Sequence, residues 1–201
     1  MLTWQAEDGH GLEGTRLLLA PGGFRALGRM VRTDPAGDFT ASYRLVVDDG
    51  GRVERLSVTC ATAQRERHLT MNRTEDGFWL LDRGSGGDRG AFGGAVDIDL
   101  AYSPMFNTLP IRRLGLQREA DGHTVPVVFV SLPDLEVEAV EQQYRTVSVL
   151  DTTGSATVGF TWNDFHADLT VDSEGLVTHY PGVATRLGPP APGAGPTAAA
   201  S

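Results

Sequence analysis

Apolar and polar positions alternate with period two over most of this chain, and a sustained helical period is hard to find. Tyr43, Leu45 and Val47 share one face of Ala41–Asp48. The Asp48-Asp-Gly-Gly51 turn then leads into Val53–Cys60, so the two runs read as a β-hairpin. A second hairpin follows, from Arg67–Arg73 through Thr74-Glu-Asp-Gly77 to Phe78–Leu81. Thr124–Leu132 is a nearly unbroken β-branched run, the pattern of a strand buried on both faces. Glu136–Val149 tolerates helix in its first half and strand in its second, and its neighbours decide for strand. Ala156–Trp162 and Phe165–Val171 pair across the two-residue loop Asn163-Asp164, and the turn Asp172-Ser-Glu-Gly175 precedes a short strand, Leu176–Tyr180.

Two segments fall outside this meander. Arg83–Gly94 carries six glycines without phosphate-loop spacing, and reads as a flexible loop over a sheet edge. From Gly188 onward the chain is Pro, Gly, Ala, Thr and Ser, with nothing to build a core, so residues 1–187 are expected to form one domain and 188–201 a disordered tail. About a dozen strands with so little helix must hide their apolar faces by curling. The expected fold is mainly β: a single-domain antiparallel sheet rolled into a barrel-like shape, able to enclose more volume than its side chains fill.

The chemistry concentrates in Asp97–Leu114, DIDLAYSPMFNTLPIRRL. Strand alternation puts Asp97 and Asp99 on one face and Val96, Ile98 and Leu100 on the other. Ser103-Pro104 breaks the strand and Pro110 delays its return, so Met105–Leu109 is expected to be a turn or short helical excursion. If the chain is extended again afterwards, Arg112 and Arg113 point to opposite faces and at most one meets the aspartates. A structural Arg–Asp network ranks ahead of ligand contact here, and catalysis ranks behind both.

Composition narrows the function. The net charge of −9, with a single adjacent basic pair at Arg112-Arg113, argues against a nucleic-acid partner. Every basic side chain other than histidine is arginine. No apolar run is long enough for a transmembrane segment, and the first residues lack a secretory signal pattern, so a cytoplasmic location is the default expectation. Cys60 cannot form an internal disulfide and sits at an inward position of its strand, as a small buried hydrophobe. His10, His68, His123, His166 and His179 show no metal or triad spacing, and no cofactor is implied.

The segments Asp97–Leu116, Ser131–Tyr144 (SLPDLEVEAVEQQY) and Phe165–Gly182 (FHADLTVDSEGLVTHYPG), with Trp4, Glu13, Gly28 and Tyr43-Arg44-Leu45, carry a family resemblance. The chain resembles the family described as "putative glycolipid-binding", long carried as a domain of unknown function, over roughly Trp4 to Arg186. Met105-Phe106 stands where that pattern more often has Phe-Thr. The resemblance implies a spiral β-roll and a lipid- or glycolipid-like ligand.

Three functions are in contention. The first is non-catalytic binding of a small amphipathic or lipid-like molecule inside the roll. Its candidate polar contacts are Glu13, Asp97, Asp99, Asn107, Arg112, Arg113 and Tyr144, with Trp4, Phe129 and Trp162 as apolar walls. The second is a carboxylate hydrolase using Glu13 with Asp97 or Asp99. The third is an interaction module with a filled interior, for which exposed edge strands suggest a homodimer. The binder is the preferred reading.

Overall fold

The computed structural model describes residues 1–20, 23–35, 37–84 and 86–188; the expected tail lies, past Gly188, outside them. The first eight strands are β1 Leu2–Ala6, β2 Gly11–Ala20, β3 Gly23–Arg32, β4 Phe39–Val47, β5 Val53–Thr62, β6 Glu66–Arg73, β7 Trp79–Asp82 and β8 Gly87–Gly90, each antiparallel to the one before. Then come β9 Asp97–Leu100, helix α1 Pro104–Leu114, β10 Gly122–Val130, β11 Val137–Ser148, β12 Ser155–Trp162, β13 Phe165–Asp172, β14 Val177–Tyr180 and β15 Ala184–Arg186. They form one fifteen-stranded sheet in the order β8-β7-β6-β5-β4-β3-β2-β1-β15-β14-β13-β12-β11-β10-β9.

This order requires a curl. Laid flat, fifteen strands would span about 67 Å from edge to edge, yet the edge strands β8 and β9 are consecutive in the chain, and the link from Gly90 to Asp97 can reach at most about 25 Å. The sheet therefore rolls until its edges approach. Two bonds pin the link across the first half-sheet: Val53 N–H donates to Val96 O at 2.9 Å, and Trp79 Nε1–H to Ala95 O at 3.0 Å. The edges themselves do not pair, so the roll stays open.

The hairpins form where turn chemistry and alternation place them, and Glu136–Val149 is strand as expected. Cys60 is fully buried among the apolar side chains. Three expectations are corrected. The glycine-rich loop contains the short edge strand β8 and a single 3-10 turn at Phe92–Gly94. One pair, β9 with β10, is parallel, because the segment between them crosses over as a helix. That segment takes the helical alternative, and its eleven residues carry Pro110 inside and run on through Arg112 and Arg113, where a return to extended chain was considered.

Pro104 suits the first turn, where backbone N–H groups have no intrahelical partner. Pro110 removes one helical bond, a cost of about 3 kcal/mol. Burial of Met105, Phe106, Leu109 and Ile111 contributes roughly 1.5–3 kcal/mol each, so packing wins. Gly115 ends the helix at φ 69°, where its N–H bonds Arg112 O and that of Leu116 bonds Ile111 O.

Every residue from Pro104 to Ile111 is buried. The helix thus runs through the roll and separates two apolar clusters. Met105, Phe106 and Leu109 pack into the larger, with Trp4, Tyr43, Leu45, Leu56 and Trp79. Ile111 joins the smaller, with Tyr144, Val158, Phe160 and Leu169. Strand β10 faces both, Val128 and Val130 one way and Val125 and Val127 the other, as its unbroken apolar pattern requires. The volume that a curled sheet could leave empty is here occupied by the signature segment itself.

Candidate functional site

The polar candidates divide into three groups around α1. At its N-terminal end, Glu13 on β2 is 4 % exposed. Its Oε1 accepts from Tyr43 Oη at 2.6 Å, Ser103 Oγ at 2.8 Å and Thr15 Oγ1 at 3.3 Å. Alternation explains the group: Glu13 and Thr15 are inward neighbours on β2, Tyr43 is inward on β4, and Ser103 caps the helix. Burial pushes the Glu13 carboxyl up to about 7, against those three hydrogen bonds, and Oε2 has no partner. The void beside it, between Trp4, Met30, Tyr102 and Pro104, is about 20 Å³, which leaves no room for a ligand.

Along the middle of the helix, Asn107 Nδ2 donates to Tyr144 Oη at 3.0 Å, Tyr144 Oη donates to Gln142 Oε1 at 2.9 Å, and Gln142 Nε2 donates to Asp99 Oδ2 at 2.6 Å. Burial raises the Asp99 carboxyl to about 7, and burial together with the Asp99 charge raises the Tyr144 hydroxyl. Both chains of bonds end on the helix, at Ser103 and Asn107. They tether it in the roll; three donors enclose the Glu13 carboxyl, and one holds that of Asp99, which is partly buried.

At the C-terminal end Asp97, fully buried, accepts from Arg113 Nη2 at 2.5 Å. Burial raises the Asp97 carboxyl and the guanidinium opposes it. Arg112 turns away: its Nη1 donates to Glu174 O and lies 3.5 Å from Glu174 Oε2, with the guanidinium carbon 5.7 Å from the Phe24 ring centroid. Only Arg113 meets an aspartate; the opposite-face reading rested on an extended chain, and the two instead sit in the last turn of the helix.

Around this end lies a cavity of about 320 Å³. Its lining mixes the apolar Leu19, Ala20, Phe24 and Leu109 with Arg112, Arg113, Gln117 and Arg118, and Asp48, Asp49 and Glu174 also border it; Leu109, Arg112 and Arg113 share one face of α1. Two turn glycines set its shape. Gly51, at φ 77°, would place a Cβ 3.1 Å from Arg113 Cβ, and Gly175, at φ 74°, would place one 3.0 Å from Arg112 Cγ. Gln117 is 3 % exposed, lines this cavity, and its Oε1 has no partner.

Of the aromatic candidates, Trp4 is core, its Nε1–H donating to Val177 O at 2.9 Å. Phe129 and Trp162 pack on one another with centroids 4.7 Å apart, both half-buried. Sequence reasoning missed Thr15, Ser103, Gln142 and Gln117 among the polar groups. The two-residue spacing of Gln142 and Tyr144 on one strand was a usable signal, whereas Gln117 follows a helix end and carried none.

No curated protein matches this chain. Among solved structures it is similar to a DUF1089 family protein from Pseudomonas aeruginosa, at 27 % identity and a TM-score of 0.70 over 87 % of this chain and 92 % of that one. It is also similar in fold to a beta-barrel-like protein of the domain of unknown function DUF1849 from Brucella abortus, at 10 % identity and a TM-score of 0.52, over 92 % of each chain. Both likenesses span nearly the whole roll. Residues 1–186 match the family described as "putative glycolipid-binding", and the chain belongs to that family.

Proposed function

We propose that the protein is a non-catalytic binder of a small amphipathic, glycolipid-like molecule, seated at the mouth where α1 leaves the roll. The observation that carries this is the mixed lining of the cavity of about 320 Å³, where Leu19, Phe24 and Leu109 stand beside Arg112, Arg113 and Gln117, whose buried carbonyl has no partner. Its size is at the lower end of ligand pockets, about 300–1,000 Å³. A buried amide oxygen without a donor costs about 1–3 kcal/mol, and a ligand hydroxyl would relieve that cost. Guanidinium and carboxylate groups on the rim suit the remaining hydroxyls of a sugar-like head, and the leucine wall suits the first methylenes of a chain. The family description favours the same ligand class.

The alternatives fit less well. Glu13 and Asp99 have the elevated carboxyls that acid–base chemistry uses, but Glu13 is closed in by three donors and faces a void of about 20 Å³, and Asp99 is held by Gln142. The test is a melting-temperature titration with octyl glucoside below its micellar concentration, beside methyl glucoside and octanol as its separate halves. The whole amphiphile should raise the melting temperature more than either half. Gln117→Leu and Arg112→Met should abolish the rise, with Gln117→Leu as stable as the parent or more so. A rise that survives in both variants, or none with any probe, defeats the reading.

A further inference from the structure

The outward face of β2, β3 and β4 contradicts the charge of the molecule as a whole. The chain carries −9, yet the outward positions of these strands hold Arg16, Arg25, Arg29 and Arg44, all exposed, and Arg55 follows on β5. No carboxylate stands at an outward position of β2, β3 or β4 among the described residues, and none of the five arginines has an ion-pair partner there. Further across the sheet, Glu54 stands at the bulge of β5 and Glu66 on β6.

The arginines alternate with aliphatic or small side chains across the strands. Leu27 stands between Arg16 and Arg44, Arg25 between Leu18 and Val46, and Arg29 between Gly14 and Ser42. Leu12, Leu18, Leu27 and Val31 are 45, 39, 36 and 52 % exposed, an unusual outlay for a sheet face turned to water. A groove of about 680 Å³ runs over this face, bordered by Leu12, Leu27, Arg29, Val31 and Arg44.

We propose that this face docks on an anionic phospholipid bilayer, with the guanidinium groups on lipid phosphates and the leucine and valine side chains at the acyl boundary. Charge complementarity is local: at physiological salt the screening length is about 8 Å, so the acidic remainder of the molecule is largely hidden from a surface touching these strands. Aliphatic interleaving distinguishes the partner. A single-stranded nucleic acid would call for aromatic side chains to stack on its bases, but Phe24, Phe39 and Tyr43 all point inward from these strands. Arginine beside exposed leucine is the composition of a peripheral membrane face. The face is separate from the mouth residues Arg112 and Gln117, so the inference stands or falls independently of what the mouth binds.

Co-sedimentation of the full chain with vesicles tests it. Vesicles containing about one-third phosphatidylglycerol should retain the protein at low salt and release it at about 0.5 M salt, and pure phosphatidylcholine vesicles should not retain it. Arg29→Gln with Arg44→Gln should lower the partition coefficient about 25-fold, from roughly fivefold per arginine. Arg145→Gln, exposed on β11, should leave it unchanged, and all variants should melt as the parent does. Equal retention on neutral vesicles, undiminished retention of the double variant, or tighter binding to an RNA oligonucleotide than to the vesicles would each overturn the proposal.

Discussion

Glu13→Gln gives the sharpest test of the polar tethers that hold α1. Burial raises the Glu13 carboxyl from 4.5 to about 7 and the Asp99 carboxyl from 3.8 to about 7. A carboxyl raised on folding is held protonated by the native state. Its contribution is complete below the unfolded value and is lost as pH climbs from there through the folded value. Between pH 5 and pH 8 linkage gives a loss of roughly 2–3 kcal/mol for each group, or about 5 kcal/mol for both. Urea unfolding at several pH values reads this directly. The parent should be markedly more stable at pH 5 than at pH 8. Glu13→Gln should show a clearly smaller slope, Asp99→Asn likewise, and the double variant the smallest, with the contribution of Asp97 left in place. The slope is the readout, because any unpaired amide proton adds a cost that does not vary with pH. Stability that is flat or rising from pH 5 to pH 8, or a Glu13→Gln slope equal to the parent's, would mean that the fold does not hold these carboxyls protonated.

Two further outcomes follow from the same packing. Arg113→Ala strands the buried Asp97 carboxyl and should cost about 3–5 kcal/mol by denaturant unfolding, whereas Arg112→Ala, with a partly exposed partner in Glu174, should cost about 1 kcal/mol or less. Gly28→Ala would put a Cβ 2.0 Å from Tyr43 Cζ, on the ring that donates to Glu13; it should destabilise by about 1–3 kcal/mol or more and move the Tyr43 resonances.

How far the sequence reaches is set by how local each determinant is. Period-two alternation and turns built on Asp-Gly or Asn-Asp act within a few residues, so the hairpins of β4–β5, β6–β7 and β12–β13 were legible, and their number made a curl inevitable. The resemblance at Asp97–Leu116 pointed to the family and the roll. Helix α1 was legible only as one of two alternatives, a turn or a short helical excursion; Pro110 argues against its full length locally, and only burial of Met105, Phe106, Leu109 and Ile111 by distant strands reverses that. The tethers were half legible: Glu13, Asp99, Asn107 and Tyr144 stood out, but Tyr43, Ser103 and Gln142, which complete them, are ordinary residues until the roll brings them together. The parallel β9–β10 pair follows from the helix and was lost with it. The basic outward face escaped for another reason. Its arginines are spread over four strands and look scattered until register aligns them.

If the signature helix fills the roll, a ligand sits at the mouth by its C-terminal end and not in the core. A ¹H–¹⁵N NMR titration with octyl glucoside separates the two. It should shift the amides of Leu19, Gly51, Arg112 and Gln117 and leave the Trp4 indole N–H, bonded to Val177 O, where it is. Large shifts of that indole and of the Phe106 and Asn107 amides, with the mouth unmoved, would mean that the helix yields and the ligand enters the core.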